Sequence, residues 1–481
     1  MTNDEWNKAT PFSFFRIPRH HCRRETIGSA SKSLMTLFKI LQMKKLYVLL
    51  SILFSLSFVY SQNAVIVGHW EGTITREGKE WAVRLDLQSH TDGLSGTADF
   101  PDYGLYTMPF KTLRIEGATV YLELIDQSDT VRFDGKLDGE KIAGQWLGLG
   151  VAASFEIRRI QQHPVTYVEE EIHFQHGDAS LIGTLVKPNS VGRHPAIVFT
   201  HGSGNQTRTQ RFYRSRAYLF AQHGIASFIY DRRGKGASAG GGNDATWANL
   251  ADDAIAGVHA LMARPDINPK QVGISGFSQG GWISPFAATR SKDIAFVLVG
   301  SAPGITPDEQ NDFNVQEALR GKQVRATKID SVMSLRKKVS EFLFTGEGNS
   351  SILETEIRLL RQEPWFRNIL LQDTTLVPYD EESKEYITFD PAPVWEKVTV
   401  PVLSIWGEQD AVVPAERSRT IFEHSLRKGG NKDYMLKIFP NAVHGLTILQ
   451  PKNAPWDWPR LAQGYQELMV EWLIKRVDVV K

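Results

Sequence analysis

The sequence contains a single cysteine, Cys22, among its 481 residues. An intramolecular disulfide needs two cysteines, and a cysteine-based zinc site needs several, so both are excluded. The H-E-x-x-H pattern of zinc peptidases is also absent from the sequence. We therefore expect a protein without a metal or other cofactor.

The chain also lacks a large excess of charge of one sign, since 55 Lys and Arg balance 54 Asp and Glu. Residues 1–61 hold nine basic and three acidic residues, so the remainder is mildly acidic. An acidic body gives no electrostatic reason to expect nucleic-acid binding. A hydrophobic content of 42% over this length is enough for one large globular domain and a smaller one.

The apolar-rich stretch at 46–60 is 15 residues long. This is short for a membrane span, which needs about 20 residues. Lysines at 44–45 precede it, and a basic segment followed by a short apolar segment is typical of a secretory signal peptide. We therefore predict a bacterial signal peptide at 43–61, a periplasmic or secreted protein, and no membrane span after cleavage. An uncleaved membrane anchor is the alternative.

The expected cleavage site lies before Gln62, because Val59 and Ser61 are acceptable at positions −3 and −1. A signal peptide should begin near its start codon, which makes Met43 the expected first residue. Residues 1–42 lack clear periodicity. We interpret them as a mis-assigned extension, with a real disordered extension as the alternative.

Residues 64–160 show the two-residue alternation of strands, for example at Trp81, Val83, Leu85 and Leu87. Gly and Asp recur at hairpin spacing. The pattern predicts a small antiparallel barrel or sandwich. Its aromatic residues could bind sugar or lipid, or could fill the core: Trp70, Trp81, Tyr103, Tyr106 and Trp146.

Residues 165–481 change to short apolar runs that alternate with amphipathic stretches. Strands that are apolar on both faces suit a parallel sheet covered by helices. The fold class expected is therefore α/β, with a mostly parallel, doubly wound sheet after the small all-β domain. The predicted strands lie at 196–200, 225–231, 271–275, 294–301, 400–407 and 434–440.

The segment 303–395 interrupts this alternation, because it shows helical periodicity and no strong strand. A structureless loop of this length would be unusual. We predict a helical cap over one end of the sheet. Its apolar residues exceed what a linker needs, so part of the cap should wall an acyl pocket, which Trp282 would help to close.

The segment Gly276-Phe277-Ser278-Gln279-Gly280 fits the pattern G-x-S-x-G, and the register excludes Ser275. A nucleophile at a sharp strand-to-helix turn sits in a strained backbone position, and flanking glycines let the turn close. Ser278 is therefore the predicted nucleophile. A phosphate-binding loop is the rival, but its lysine is missing.

A serine needs a base, and the base needs an orienting acid. Asp410 follows the predicted strand at 400–407, and His444 follows the strand at 434–440. The chain order serine, aspartate, histidine suits this type of sheet. We predict Asp410 as the acid and His444 as the base, with Glu408 as the rival acid.

Acyl transfer also needs donors for the developing oxyanion. The backbone N–H of Gln279 is one predicted donor. The loop His201-Gly202-Ser203-Gly204 follows the strand at 196–200, and we choose the backbone N–H of Ser203 as the second donor. His201 lies at a strand end beside glycine, so we expect it to shape this turn and the substrate site.

These motifs resemble those of the α/β-hydrolase superfamily, in the order "THGSG", "YDRRGKGAS", "GISGFSQGGW", "WGEQDAVVP" and "NAVHGL". Within it, the chain is most similar to bacterial EstD-like carboxylesterases, which pair an N-terminal β domain with a hydrolase domain carrying an HGSG loop. The resemblance implies Ser278 as nucleophile, Asp410 as acid and His444 as base.

The expected function is that of a secreted serine esterase acting on a small-molecule ester, with acylated carbohydrates among the candidates. An exopeptidase or amidase with the same triad is the first alternative, and a carbohydrate-binding protein built on the β domain is the second. Arginines near the site could favour an anionic acyl or sugar group, unless they form a solvated face: Arg208, Arg211, Arg214, Arg216, Arg232 and Arg233.

Overall fold

The computed structural model describes residues 66–479, apart from 91–92, 104, 127–128, 149–150, 162–166, 205–206, 242–244, 372–374 and 450–459. The extension at 1–42 and the signal peptide at 43–61 lie outside the described residues, so both stay predictions. Residues 66–481 form one compact unit.

Eight antiparallel strands form a closed barrel in sequential order, and β8 pairs with β1 to close it. Alternate side chains point inwards, as Trp81, Val83 and Leu85 do, because successive residues of a strand face opposite sides. Of the two predicted alternatives, the β domain is the barrel. Its strands are β1 (Gly68–Arg76), β2 (Lys79–His90), β3 (Gly93–Phe100), β4 (Leu105–Glu116), β5 (Thr119–Asp126), β6 (Asp129–Asp138), β7 (Lys141–Gly148) and β8 (Val151–Ile160).

Three tryptophans of this domain belong to the barrel core. Trp70 and Trp146 are fully buried, and Trp81 is 1% exposed. They therefore cannot offer a ring to a sugar or lipid on the surface. The side chains of Tyr103 and Tyr106 lie outside the described part of the structure.

The second sheet has eight strands in the order β16-β15-β14-β13-β11-β12-β10-β9. Strand β10 pairs antiparallel with both of its neighbours, β9 and β12, and the six strands from β11 to β16 run parallel to one another. Each of the six predicted apolar runs falls on one of these parallel strands. The strands are β9 (Tyr167–His176), β10 (Ala179–Pro188), β11 (His194–Thr200), β12 (Ala226–Tyr230), β13 (Ile267–Phe277), β14 (Val297–Gly300), β15 (Val402–Gly407) and β16 (Tyr434–Phe439).

Helices cover both faces of this sheet, as expected for parallel strands that are apolar on both sides. One face packs against α1 (Arg211–Gln222) and α10 (Tyr465–Ile474). The other packs against α2 (Trp247–Met262), α3 (Gly280–Arg290) and α9 (Ala415–Lys428). The α/β-hydrolase fold expected from the sequence is therefore present.

The segment between β14 and β15 is helical. Its helices are α4 (Pro307–Gly321), α5 (Ala326–Thr345), α6 (Ser350–Leu360), α7 (Glu381–Ile387) and α8 (Ala392–Trp395). A hydrophobic core of its own holds it together, with Val332, Leu335 and Ile357 among its buried side chains. The insertion is thus a folded subdomain that brings α7 to the hydrolase core.

The barrel and the hydrolase domain touch along β4 and α1. A short two-stranded ribbon, β17 (Thr447–Ile448) with β18 (Arg460–Leu461), contacts the turn after β3. Among the described helices, none has both the length and the apolar composition that a membrane crossing requires.

Candidate active site

Ser278 lies at the turn between β13 and α3, and its backbone is left-handed with φ of 54°. This conformation is costly for a residue other than glycine. The Ser278 N–H donates to the carbonyl of Gly300 at 3.0 Å, and the Ser278 carbonyl accepts from the N–H of Gly281 at 2.7 Å. These two bonds fix the strained turn at the carboxyl end of the central strand.

Three glycines allow this turn to form because there is no space for a side chain. A Cβ on Gly276 would lie 2.0 Å from the carbonyl oxygen of Gly280. A Cβ on Gly280 would lie 2.7 Å from the carbonyl oxygen of Thr200, and one on Gly281 would lie 2.2 Å from the Cβ of Ala302. The start of α3 therefore packs so closely against β11 and the loop after β14 that no side chain fits between the backbones.

Ser275 occupies a different environment from Ser278. It lies inside β13, where it is paired with Phe199 of β11, and it is 5% exposed. A serine within a central strand cannot project from the end of the sheet. The structure thus gives the two serines the distinct positions that the register of the glycines predicts.

Asp410 and His444 are in direct contact. The Nδ1 atom of His444 lies 2.9 Å from Oδ2 and 3.0 Å from Oδ1 of Asp410. The carboxylate is buried and also accepts from the backbone N–H groups of Val412 and Val413, at 2.8 and 2.9 Å. The loop after β15 therefore holds the carboxylate in one orientation towards the imidazole.

Glu408 faces away from this pair. It is exposed, and its Oε2 accepts from the backbone N–H of Asn441 at 2.9 Å. Asn441 has a left-handed backbone with φ of 59°, so Glu408 stabilises the turn that leads to His444. The geometry therefore favours Asp410 over Glu408 as the histidine's partner.

The His444 ring lies against Phe277, with ring centroids 5.1 Å apart, and Phe277 directly precedes Ser278. The backbone carbonyl of His444 accepts from the Ser301 hydroxyl at 2.7 Å. Among the described residues, none makes a hydrogen bond to Nε2 of His444, including Ser278. Such bonds are often long in a free enzyme and tighten when substrate binds.

The loop after β11 passes beside Ser278. A Cβ on Gly202 would lie 3.8 Å from the Cβ of Ser278. The Gly202 N–H donates to the Tyr213 hydroxyl at 2.8 Å. Burial raises the pKa of Tyr213 to about 12, so this hydroxyl stays protonated. Nothing in the sequence distinguished Tyr213 from the other apolar residues of α1.

Comparisons with known proteins find similar hydrolases. The family of serine aminopeptidases, S33, matches residues 193–353. Esterase EstD from Thermotoga maritima is 23% identical over 343 residues, which cover 70% of this chain and 74% of the relative. The chain has the α/β-hydrolase fold, and its sequence is esterase-like over most of its length.

Solved structures of α/β hydrolases align with most of the chain. A Pyrococcus furiosus esterase is 14% identical, with a TM-score of 0.42, and the match covers 65% of this chain and 90% of that one. The Butyrivibrio proteoclasticus protein Est1E, with ferulic acid bound, is 18% identical with a TM-score of 0.39. That match covers 63% of this chain and 96% of Est1E.

The two predicted oxyanion donors lie on the turn that carries Ser278 and on the loop after β11. Gln279 precedes the first residue of α3, and its backbone N–H donates to no described residue. The start of a helix is also where N–H groups and the helix dipole favour negative charge. Ser203 is exposed in the loop after β11. That the backbone N–H of Ser203 donates to a bound oxyanion stays a prediction.

His201 is 2% exposed, and its Nε2 contacts the carbonyl oxygen of Tyr230. Burial lowers the pKa of His201 to about 4, so the ring is neutral at working pH. It joins the ends of β11 and β12, which agrees with a role in shaping the turn. Direct contact of His201 with substrate stays a prediction.

Trp282 is 4% exposed and packs in an aromatic cluster with Trp247. Its Nε1 donates to the carbonyl of Ile305 at 3.2 Å, at the entrance to the insertion. The structure therefore places Trp282 between α3 and the insertion, mostly out of reach of a ligand. Its role in closing an acyl pocket stays a prediction.

Most of the predicted arginines have partners outside the site. Arg208 pairs with Glu171, and Arg214 pairs with Glu169. Arg233 pairs with Asp253, with nitrogen and oxygen 2.7 Å apart, while Arg216 donates to the Tyr465 hydroxyl. These side chains hold elements together rather than face a ligand.

Arg232 differs from them, because it lines a cavity of about 330 Å³ between α2 and α7. A hydrogen bond connects this lining residue to the nucleophile turn, since Nη1 of Arg232 donates to Oε1 of Gln279 at 2.8 Å. The Gln279 Nε2 donates to the Tyr386 hydroxyl of α7. Tyr386 had no sequence signal, since it lies 107 residues from Gln279.

Proposed function

We propose that this α/β hydrolase cleaves carboxylic esters through an acyl-enzyme intermediate on Ser278. His444 is the general base and Asp410 orients it. The observation that carries the proposal is the contact of Asp410 with Nδ1 of His444, at 2.9 and 3.0 Å, beside a serine held in a left-handed turn. This combination serves nucleophilic catalysis and has no evident structural purpose.

In the first step, Oγ of Ser278 attacks the ester carbonyl carbon, and Nε2 of His444 takes the hydroxyl proton. The imidazole becomes positively charged, and the buried Asp410 carboxylate stabilises that charge. Because Nδ1–H donates to Asp410, the proton-accepting lone pair is confined to Nε2. The tetrahedral intermediate then collapses, and His444 returns the proton to the leaving alcohol.

The carbonyl oxygen carries the negative charge of the tetrahedral intermediate. The backbone N–H of Gln279 and that of Ser203 would donate to it. Such donors are fixed before the reaction, so they stabilise the transition state without a reorganisation cost. In the second half, His444 activates a water molecule, which releases the acid from Ser278.

The family match favours a second candidate function, that of an aminopeptidase, because the family is described as serine aminopeptidase, S33. The same triad would then cleave a peptide bond. Esterase EstD, which the chain resembles over a longer stretch, favours the ester. The two functions differ in the leaving group, which is an alcohol for one and an amine for the other.

Hydrolysis of p-nitrophenyl esters with acyl chains of C2 to C12 should be compared with hydrolysis of aminoacyl p-nitroanilides, using protein that begins at Gln62. We expect ester hydrolysis that Ser278→Ala abolishes and anilide hydrolysis that is much slower. Faster anilide cleavage that depends on Ser278 would replace the esterase proposal with the aminopeptidase. Activity that survives Ser278→Ala would refute both.

We further propose that the enzyme acts outside the cytoplasm of a bacterium, after cleavage before Gln62. The basic residues at 44–45 and the apolar stretch at 46–60 support this localisation. N-terminal sequencing of periplasmic product from a bacterial host tests it. A product that retains Met43 would indicate an anchored protein instead.

A further inference from the structure

Arg232 is a buried cation at the end of β12, where it follows Asp231. It is 9% exposed, and its Nη1 donates to Oε1 of Gln279 at 2.8 Å. Gln279 directly follows the proposed nucleophile Ser278. The guanidinium of Arg232 is therefore hydrogen-bonded to the side chain of Gln279, whose backbone N–H is the proposed oxyanion donor.

The charge of Arg232 is not balanced by a carboxylate within the described part of the chain, where no such oxygen lies within 4.0 Å of it. The neighbouring acids serve other groups. Asp231 accepts from the backbone N–H groups of Arg208 and Ala237, and Asp253 pairs with Arg233. An unpaired cation at this depth is costly unless an anion joins it.

Around Arg232 the hydrogen-bond donors also outnumber the acceptors. The Nε of Arg232 is buried and has no acceptor among the residues that the structure describes. Tyr386 lines the same cavity as Arg232, and its hydroxyl accepts from the Gln279 amide. Since the hydroxyl accepts that bond, its own proton is available to a further acceptor. Burial raises the pKa of Tyr386, which keeps that proton in place.

The cavity that Arg232 and Tyr386 line is large enough for a small organic group, at about 330 Å³. The Trp247 ring stacks on Tyr386, with centroids 4.3 Å apart, and gives the cavity an aromatic wall. Three further lining residues are exposed acids: Asp380, Glu382 and Glu385. Water and salt screen these exposed charges strongly, whereas the buried charge of Arg232 is screened weakly.

We propose that Arg232 and Tyr386 bind a carboxylate of the substrate, so that the preferred esters carry a negative charge a few atoms from the bond that is cleaved. This inference rests on the proposed function, because it places the carboxylate relative to Ser278. The carboxylate supplies the acceptors that the excess donors lack, and it neutralises the guanidinium. The exposed acids discourage a second negative charge farther out.

The carboxylate can belong to the acyl part or to the alcohol part of the ester, and two substrate pairs distinguish these sources. The acyl pair is the 4-nitrophenyl monoester of glutaric acid and its counterpart with a terminal primary amide. The alcohol pair is 4-acetoxybenzoate and 4-acetoxybenzamide. Within each pair the two compounds have nearly the same size and differ in charge, so the kcat/KM ratio reports recognition of the carboxylate.

We expect the wild-type enzyme to prefer the carboxylate in one of the pairs, and Arg232→Gln to lower that preference about 10- to 100-fold, the range for a hydrogen bond to a charged group. Lys384→Gln is the matched control. Lys384 is a cation on α7, the helix that carries Tyr386, but it already pairs with Glu381 at 2.8 Å. The control should leave the preference unchanged.

Tyr386→Phe provides a second variant if Arg232→Gln does not fold, since it removes the hydroxyl and keeps the ring on Trp247. It should lower the same preference several-fold. A wild-type ratio near one in both pairs, or a ratio that neither variant alters, would overturn the inference. Failure to hydrolyse all four compounds, with no phosphonate label on Ser278, would overturn the proposed function and this inference with it.

Discussion

The hydroxyl of Ser301 donates a hydrogen bond of 2.7 Å to the backbone carbonyl of His444. Ser301 follows β14, and its N–H donates to the carbonyl of Ile405 in β15 at 2.7 Å. Phe277 and Gly300 are paired in neighbouring strands, so Ser278 and Ser301 leave the sheet side by side. One buried serine thus joins the nucleophile's end of the sheet to the loop that carries the base.

Ser301→Ala should lower kcat about 10-fold and leave KM nearly unchanged, because small displacements of a base slow the chemical step more than they weaken binding. Steady-state kinetics with a p-nitrophenyl ester measure this. Ser404→Ala is the control, since Ser404 is fully buried and its hydroxyl has no hydrogen-bond partner in the described part of the chain. Equal effects of the two substitutions would show that Ser301 has no specific role in positioning His444.

Asp410→Asn should reduce kcat about 10⁴-fold, because an amide can neither fix the imidazole tautomer nor stabilise the imidazolium. Glu408→Gln should have little effect, since Glu408 is exposed and bonds to the Asn441 backbone. The same ester assay compares them. Comparable losses in the two variants would leave the acid unassigned.

Gly281→Ala should destabilise the protein by about 3 kcal/mol or more, because its Cβ would lie 2.2 Å from the Cβ of Ala302 and the helix must shift. Gly321→Ala is the matched control. Gly321 is the last residue of α4 and has open space around its Cβ position, so alanine should be neutral or stabilise by up to about 1 kcal/mol. Urea unfolding measures both, and equal stabilities would contradict the packing described for α3.

His201 should make the protein less stable in acid. Its folded pKa of about 4 lies below the ordinary value of 6.5, so the unfolded chain binds a proton first as the pH falls. Stability is therefore lost between about pH 6.5 and pH 4 and is retained above that range. The loss amounts to about 3 kcal/mol at full effect.

His201→Gln removes this titration, which urea unfolding of both proteins between pH 7 and pH 4 can measure. The difference in stability between wild type and variant should change in favour of the variant as the pH falls. A difference that stays constant over this range would contradict a buried, neutral His201.

The parallel strands could be predicted because burial on both faces forces continuous apolar runs, as in β11 and β12. Ser278, Asp410 and His444 could be proposed because each follows such a run. Barrel and sandwich could not be distinguished beforehand, because the two-residue alternation is the same in both. Closure depends on the pairing of β1 with β8, which are far apart in sequence.

Contacts between distant residues could not be predicted for the same reason. Ser301 and His444 are separated by 143 positions, and Gln279 and Tyr386 by 107. No periodic pattern links such pairs, since each depends on how the insertion and the final loops pack. The arginines near the site looked alike in sequence, and the structure separates Arg232 from the ion-paired ones.

The most direct test of the account is the site of covalent labelling by a fluorophosphonate, located by mass spectrometry of the peptide that contains residues 275–282. Ser278→Ala should abolish the label, and Ser275→Ala should retain it, provided that circular dichroism shows both variants to be folded. The account predicts a single adduct on Ser278. An adduct that persists in Ser278→Ala, or one that disappears only in Ser275→Ala, would contradict it.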